Sequence, residues 1–169
     1  MDTFSTCLTF TLREEGGFVN NPRDPGGATN LGITRQQLAE WRDCNCSVAD
    51  VRTLSLAEAE AIYGARYWNV VQGDALPAGL DLMVFDFGVN AGPSRAARML
   101  QSAVGVVADG SIGPQSLAAA ESCDAKAALQ SMILLQERYY HACAGYPVFG
   151  SGWLARLARR HAAAVGMLA

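Results

Sequence analysis

Residues 16–30 constrain the fold of this 169-residue chain more than any other stretch. Gly16-Gly17-Phe18-Val19-Asn20-Asn21-Pro22-Arg23-Asp24-Pro25-Gly26-Gly27-Ala28-Thr29-Asn30 holds two glycine pairs, two prolines and three asparagines. Proline removes a backbone donor and glycine forfeits helix propensity, so no helix continues through it. Short extended pieces joined by tight turns fit, such as a small irregular hairpin. Before it, Phe4, Cys7, Leu8 and Thr11 recur at i, i+3, i+4 and i+7 and mark one face of a helix over residues 3–15. The chain must therefore end a helix at Gly16, make an irregular excursion, and begin helices again.

Helical periodicity dominates the rest of the chain. Thr34-Arg35-Gln36-Gln37 and Ser55-Leu56-Ala57-Glu58 have the capping-box form, predicting helices that run to Asp43 and to Trp68. Further helices are expected over 79–90, 93–104, 114–122, 124–144 and 151–166, with Pro114 at a helix start. Outside the glycine-rich segment, no stretch of strand length alternates apolar and polar residues. The expected class is mainly α, two-lobed, with a small β or loop insertion after the first helix. Pro77-Ala78-Gly79 is the expected divider, giving lobes 1–78 and 79–169 packed as one compact unit.

Composition narrows the partners. Half of the residues are apolar, enough for a sizeable core, while a net charge of −3 gives no general attraction to nucleic acid or an anionic membrane. Arg156, Arg159, Arg160 and His161 form either a local basic patch or the solvated face of the last helix. There is no run of about 18 apolar residues, so stable membrane insertion is not expected. The start carries Asp2 and no basic n-region, so no Sec signal is read and synthesis is expected in the bacterial cytoplasm. Cys7, Cys44, Cys46, Cys123 and Cys143 are odd in number and contain no CxxC pair, and Cys44-Asn45-Cys46 is too tight for a zinc knuckle. They read as mostly reduced thiols, with no metal site and a monomer favoured.

Cleavage of a glycosidic bond needs a carboxylic acid that is still protonated near neutral pH and a second group that serves a water or acts as nucleophile. Desolvation keeps a carboxyl protonated. At about 100° per residue, Glu15 lies only about 20° around the helix from Phe4, whereas Glu14 lies about 80° away toward solvent. Glu15 is thus expected to be the less hydrated, and Gly16-Gly17 leaves room beside it for a substrate. Asp24 comes next in the glycine/proline segment, then Thr29 with Asn30 beside it. An Asp and a Thr hydroxyl facing a Glu can orient a water, the division of labour an inverting mechanism uses. Asp86 and Asn90 are four apart and share a helix face, either lining a cleft or forming a polar stripe. Trp41, Tyr63, Tyr67, Trp68 and Trp153 can stack on sugar rings or fill a core. Trp68, following Tyr67 near its helix end, is the cleft candidate.

The run Glu15-Gly16-Gly17-Phe18-Val19-Asn20-Asn21-Pro22-Arg23-Asp24-Pro25-Gly26-Gly27-Ala28-Thr29-Asn30-Leu31-Gly32-Ile33-Thr34 resembles the opening motif of glycoside hydrolase family 108. These are N-acetylmuramidases common among phage endolysins and secretion-associated lysozymes. The resemblance implies a lysozyme-like fold and makes Glu15, the Glu of Glu-Gly-Gly, the catalytic residue. The Glu–Asp–Thr order is also similar to phage-type lysozymes, with one residue fewer before Thr29. Ala61-Ile62-Tyr63 with Tyr67-Trp68, and Phe85-Asp86-Phe87-Gly88-Val89-Asn90-Ala91-Gly92, resemble the family's later segments. Val107-Ala108-Asp109-Gly110-Ser111-Ile112-Gly113-Pro114 resembles its peptidoglycan-binding region.

The resemblance implies hydrolysis of the β-1,4 bond between N-acetylmuramic acid and N-acetylglucosamine in bacterial peptidoglycan, without metal or organic cofactor. Glu15, Asp24 and Thr29 would be catalytic, and Asn30, Tyr63, Trp68, Asp86 and Asn90 would bind substrate. The setting would be phage lysis or wall remodelling for secretion, in the periplasm or wall after release by a pore or secretion system. Two other readings stay open: a peptidoglycan-binding module without catalysis, and a lytic transglycosylase that closes the muramic sugar into an anhydro ring.

Overall fold

A computed structural model describes residues 2–20 and 27–168 of the chain. Its elements are almost all helical: α1 (Thr3–Glu15), α2 (Arg35–Arg42), α3 (Val48–Arg52), α4 (Leu56–Tyr63), α5 (Leu80–Ala91), α6 (Pro93–Ala103), α7 (Pro114–Ser122), α8 (Ala125–Ala142) and α9 (Tyr146–Gly166). One antiparallel pair, β1 (Thr29–Asn30) and β2 (Ile33–Thr34), lies in the excursion after α1, with Thr29 opposite Thr34 and Asn30 opposite Ile33. The class is mainly α with a small β insertion, as the sequence implies. The chain divides into two compact units, Leu8–Arg66 and Met1–Cys7 with Tyr67–Ala169.

In the first unit, helix starts are set by side-chain caps. Both halves of the Thr34–Gln37 box form: Thr34 Oγ1 accepts the Gln37 N–H at 3.2 Å and Gln37 Oε1 accepts the Thr34 N–H at 2.9 Å. At α4, Ser55 Oγ accepts the Glu58 N–H at 3.1 Å, but the Glu58 carboxylate is held by Arg42 at 2.7 and 2.8 Å. That ion pair joins α2 to α4 and holds the Glu58 carboxyl below its ordinary value. Helix α3 starts at a second complete box, Ser47 with Asp50. Its five residues are too few to show a hydrophobic period, so the sequence pattern does not reveal it. Beyond Tyr63 the helix widens into a π turn over Gly64–Trp68.

In the second unit, α5 is buried on every side from Leu80 to Gly88, as a helix apolar all round should be. Against it lies an aromatic cluster in which Phe4, Trp68 and Phe85 meet at centroid distances of 5.2 to 6.0 Å. Cys7 is buried, completing with Phe4 the apolar face expected at the start of α1. The Asp81 carboxylate caps the α5 N-terminus, accepting the N–H of Gly79 at 2.8 Å and of Leu82 at 2.6 Å. Helix α9 begins at Tyr146, five residues before the expected 151. Pro147 sits in the first turn, where its missing N–H costs nothing. Gly150 is used for close packing: a Cβ there would lie 2.5 Å from the Tyr146 ring.

Two arginines of α9, Arg156 and Arg160, are drawn into an ion cluster, whereas Arg159 is exposed. Asp86, fully buried on α5, accepts Arg160 Nη1 at 2.6 Å, Arg156 Nη2 at 2.7 Å and Arg156 Nε at 3.1 Å. Arg160 is itself fully buried, with Nη2 donating to Gln136 Oε1 at 2.6 Å. Burial alone would raise the Asp86 carboxyl, but the two guanidiniums more than offset it and hold it below its ordinary 3.8. A folded-state value below the unfolded one means that ionised Asp86 stabilises the fold at every pH above about 3.8. That stabilisation is lost as pH falls through the lower folded value. Asp81 acts in the opposite sense, because burial raises its carboxyl and protonation relieves the cost. Arginine pairing also depresses Glu58, so the acid-labile groups outnumber Asp81. Thermal unfolding should therefore show a midpoint level down to about pH 4 and falling below it; a midpoint level to pH 2 would contradict the ion cluster.

Candidate active site

Helix α1 ends where the sequence requires. Gly16 adopts φ +78°, a left-handed stop that glycine takes without strain, and its N–H bonds to the Leu12 carbonyl at 3.3 Å. Glu15 is thus the last helical residue. Glu14 and Glu15 are both half-buried, but Glu15 Oε1 is shielded from solvent. The chain then runs out to Val19, which exchanges two 2.8 Å backbone hydrogen bonds with Thr29. Thr29 consequently pairs with Val19 on one side and Thr34 on the other.

The β1–β2 turn is what packs against Glu15. Leu31 (φ +51°) and Gly32 (φ +74°) form a two-residue hairpin of type I′, the turn whose twist matches the flanking strands. Left-handed backbone is unfavourable for leucine, so the surroundings must hold it. Tyr63, 1% exposed, does so by donating its hydroxyl to the Leu31 carbonyl at 2.9 Å. Gly32 packs so closely that a Cβ on it would lie 2.8 Å from Glu15 Cγ and 2.5 Å from Tyr63 Oη. Asn30 secures the other end of the turn, its Nδ2 donating to the carbonyls of Val51 and Arg52 at 3.0 and 3.2 Å. The stem of Glu15 at its helix terminus thereby packs against a turn that a phenol of α4 and an amide bonded to α3 hold in place. Such a fixed, partly dehydrated carboxyl is suited to proton transfer.

The expected site residues separate into groups. Glu15, Thr29, Asn30 and Tyr63 all belong to the first unit, where Glu15, Tyr63 and the turn after Asn30 come together. Asn30 and Tyr63 are buried, and the Asn30 Nδ2 and the Tyr63 hydroxyl are donated to backbone carbonyls that hold the turn. Asp24 lies outside the described residues. In the second unit, Trp68 is 2% exposed, packed on Phe4 and Phe85 with its indole N–H donated to Asp74 at 2.9 Å. It is a core residue, as aromatics at helical spacing commonly are. Asp86 is likewise no sugar contact, because its carboxylate is enclosed by Arg156 and Arg160. Asn90, on the same helix, is exposed. Sequence reasoning misses Gly32 as part of the site; its only signal is a Leu-Gly pair between two short extended pieces.

Among the described residues, no group of three His, Cys, Asp or Glu is placed to hold a metal ion. No helix among them is long and apolar enough to cross a membrane.

Residues 8–92 match the model of the family Glycosyl hydrolase 108, and residues 95–158 match the family described as "Predicted Peptidoglycan domain". The solved structure of Brucella abortus SagA is similar along nearly the whole chain, with 39% identity, a TM-score of 0.88, and coverage of 98% of this chain and 95% of that one. A comparison with curated protein sequences returned no match.

Proposed function

Since the chain belongs to the glycosyl hydrolase 108 family, we propose that it cleaves the β-1,4 bond between N-acetylmuramic acid and N-acetylglucosamine, with Glu15 as the acid. It is a glycoside hydrolase, and its second family match supports peptidoglycan as what it acts on. The observation that carries the assignment is the packing of Glu15 at the α1 terminus, its stem held by Gly32 and its carboxyl partly withdrawn from water. In this reading Glu15 protonates the glycosidic oxygen as the bond breaks and positive charge develops on the sugar ring. Asp24, with Thr29, positions the attacking water or offsets that charge. Their place in the chain, nine and fourteen residues after Glu15, supports these roles. The lobe carrying Glu15 supplies the chemistry, and the helical lobe holds the polymer. The biological setting that fits is phage lysis or wall remodelling for secretion, with the enzyme acting as a monomer in the periplasm or wall.

The test of the bond is the sugar left at each new reducing end. Purified sacculi are digested, reduced with borohydride and hydrolysed; muramitol is the expected product, and glucosaminitol would place the cut at the other linkage.

Gly32→Ala tests the packing around Glu15 separately. The added methyl must displace Glu15 Cγ or the Tyr63 hydroxyl, and φ +74° is unfavourable for alanine. A misplacement of about 1 Å in a catalytic group costs on the order of 100-fold in rate, so kcat should fall by about that factor with KM little changed. An unchanged kcat would show that the turn does not position the acid.

A further inference from the structure

A second built feature lies wholly in the helical unit. A pocket of about 240 Å³ is bounded by Asn90 at the end of α5, Tyr139, Tyr140 and Cys143 at the end of α8, and Trp153 and Arg156 on α9. Its rings differ in arrangement from those of the neighbouring core. Phe87 meets Tyr139 and Tyr140 edge to face, at 87° and 80°, which is ordinary core packing. Tyr140, Trp153 and Phe149 instead form a row of shallow tilt, 31° and 32° between successive rings at 5.5 and 6.0 Å. That row ends at Phe149, which is 58% exposed. Gly145 makes the row possible, since a Cβ there would press on both Trp153 and Phe149 at 3.1 and 3.3 Å.

Polar groups at the pocket are neutral or already oriented. Asn90 is exposed, and its Oδ1 accepts the Tyr140 hydroxyl at 3.4 Å. The Arg156 guanidinium is fixed in the wall by its two bonds to Asp86. Aromatic faces beside a side-chain amide and a phenol suit a pyranose ring that carries an acetamido group. The apolar C–H face of the sugar lies against the rings, and its amide pairs with the amide of asparagine.

We infer that the pocket formed by Asn90, Tyr139, Trp153 and Arg156, with the buried Tyr140 as its floor, is a subsite for one N-acetylhexosamine unit of the glycan strand. This rests on the reading that peptidoglycan is the substrate. It assigns the sugar contact to a surface on which the Glu15 cluster has no residue. Of the residues expected to contact substrate, Asn90 is the one that lines it. Most of its lining falls within residues 95–158, the part that matches the peptidoglycan family.

The test uses the full chain carrying Glu15→Gln, so that no turnover intervenes, and the N-acetylglucosamine tetramer as probe. Alkylation of Cys143 by iodoacetamide is followed by peptide mass spectrometry, with exposed Cys44 as internal control. The tetramer should slow alkylation of Cys143 and leave that of Cys44 unchanged. Asn90→Ala and, separately, Trp153→Ala should each weaken the concentration dependence of that protection by about tenfold. Asn90 is exposed, so its variant remains informative if Trp153→Ala folds poorly. Absence of protection, or protection unaltered by Asn90→Ala, would overturn the subsite. Its fate is separable from that of the catalytic reading, which fails on a different result: full lytic activity of Glu15→Gln.

Discussion

Glu15→Gln should abolish nearly all release of soluble fragments from sacculi, lowering kcat by roughly 10²–10⁴-fold, the range by which a positioned general acid contributes. Glutamine keeps the length and planarity of the side chain, so the contact beneath Gly32 and Tyr63 is retained. It has no proton acidic enough to give a departing sugar oxygen. The unfolding midpoint and sedimentation with sacculi should stay at wild-type levels, which separates lost chemistry from lost structure. Glu14→Gln is the matched control: Glu14 neighbours Glu15 in sequence but lies around the helix from it, and its variant should keep most of its activity. Equal losses in both variants would mean that general charge, and not a specific proton, had been removed.

Asp86→Ala should be the most destabilising change in the helical unit. It leaves Arg160, 0% exposed, and Arg156, whose side chain is 11% exposed, without the carboxylate they share. Removing one partner of a buried ion pair costs about 3–5 kcal/mol, because the remaining charge stays desolvated. For a chain of this size that corresponds to a fall in unfolding midpoint of roughly 10 °C or more. Thermal unfolding followed by circular dichroism at pH 7 measures it directly. A change of under about 1 kcal/mol would show that the arginines find water or other acceptors, and that the cluster is not the keystone of α5 and α9. The position also explains why Asp86 resembles a site residue in sequence. An acidic residue in a mostly apolar helix reads as functional when its partners lie 70 and 74 positions away.

Legibility in the sequence tracks the range of the interaction that decides each feature. The stop at Gly16, the Thr34 box and the Asp124 cap of α8 are local, determined within a few residues, and the chain writes them openly. Helix α3 is hidden because its Ser47–Asp50 box opens only five helical residues. The start of α9 is obscured because Gly150, directly before the expected start, looks like a breaker until the Tyr146 ring is seen against it. Glu15 is legible as the last residue of α1 because the stop at Gly16 is local, whereas Glu14 and Glu15 are half-buried alike and only the shielding of Glu15 Oε1 separates them. The burial of Tyr63, Trp68 and Asp86 is not, since a tyrosine bonded to a carbonyl 32 positions back leaves no periodic trace. The same holds for the Leu31–Gly32 turn: its importance lies in what packs against it, which no run of neighbouring residues records.

The most direct test of a hydrolase centred on Glu15 is mass spectrometry of the soluble products from purified sacculi, digested in parallel by wild type and Glu15→Gln. Wild type should yield muropeptides ending in a reducing N-acetylmuramic acid, and the variant should yield essentially none. Products ending in an anhydro-muramic ring, or the same hydrated products in full amount from Glu15→Gln, would contradict it.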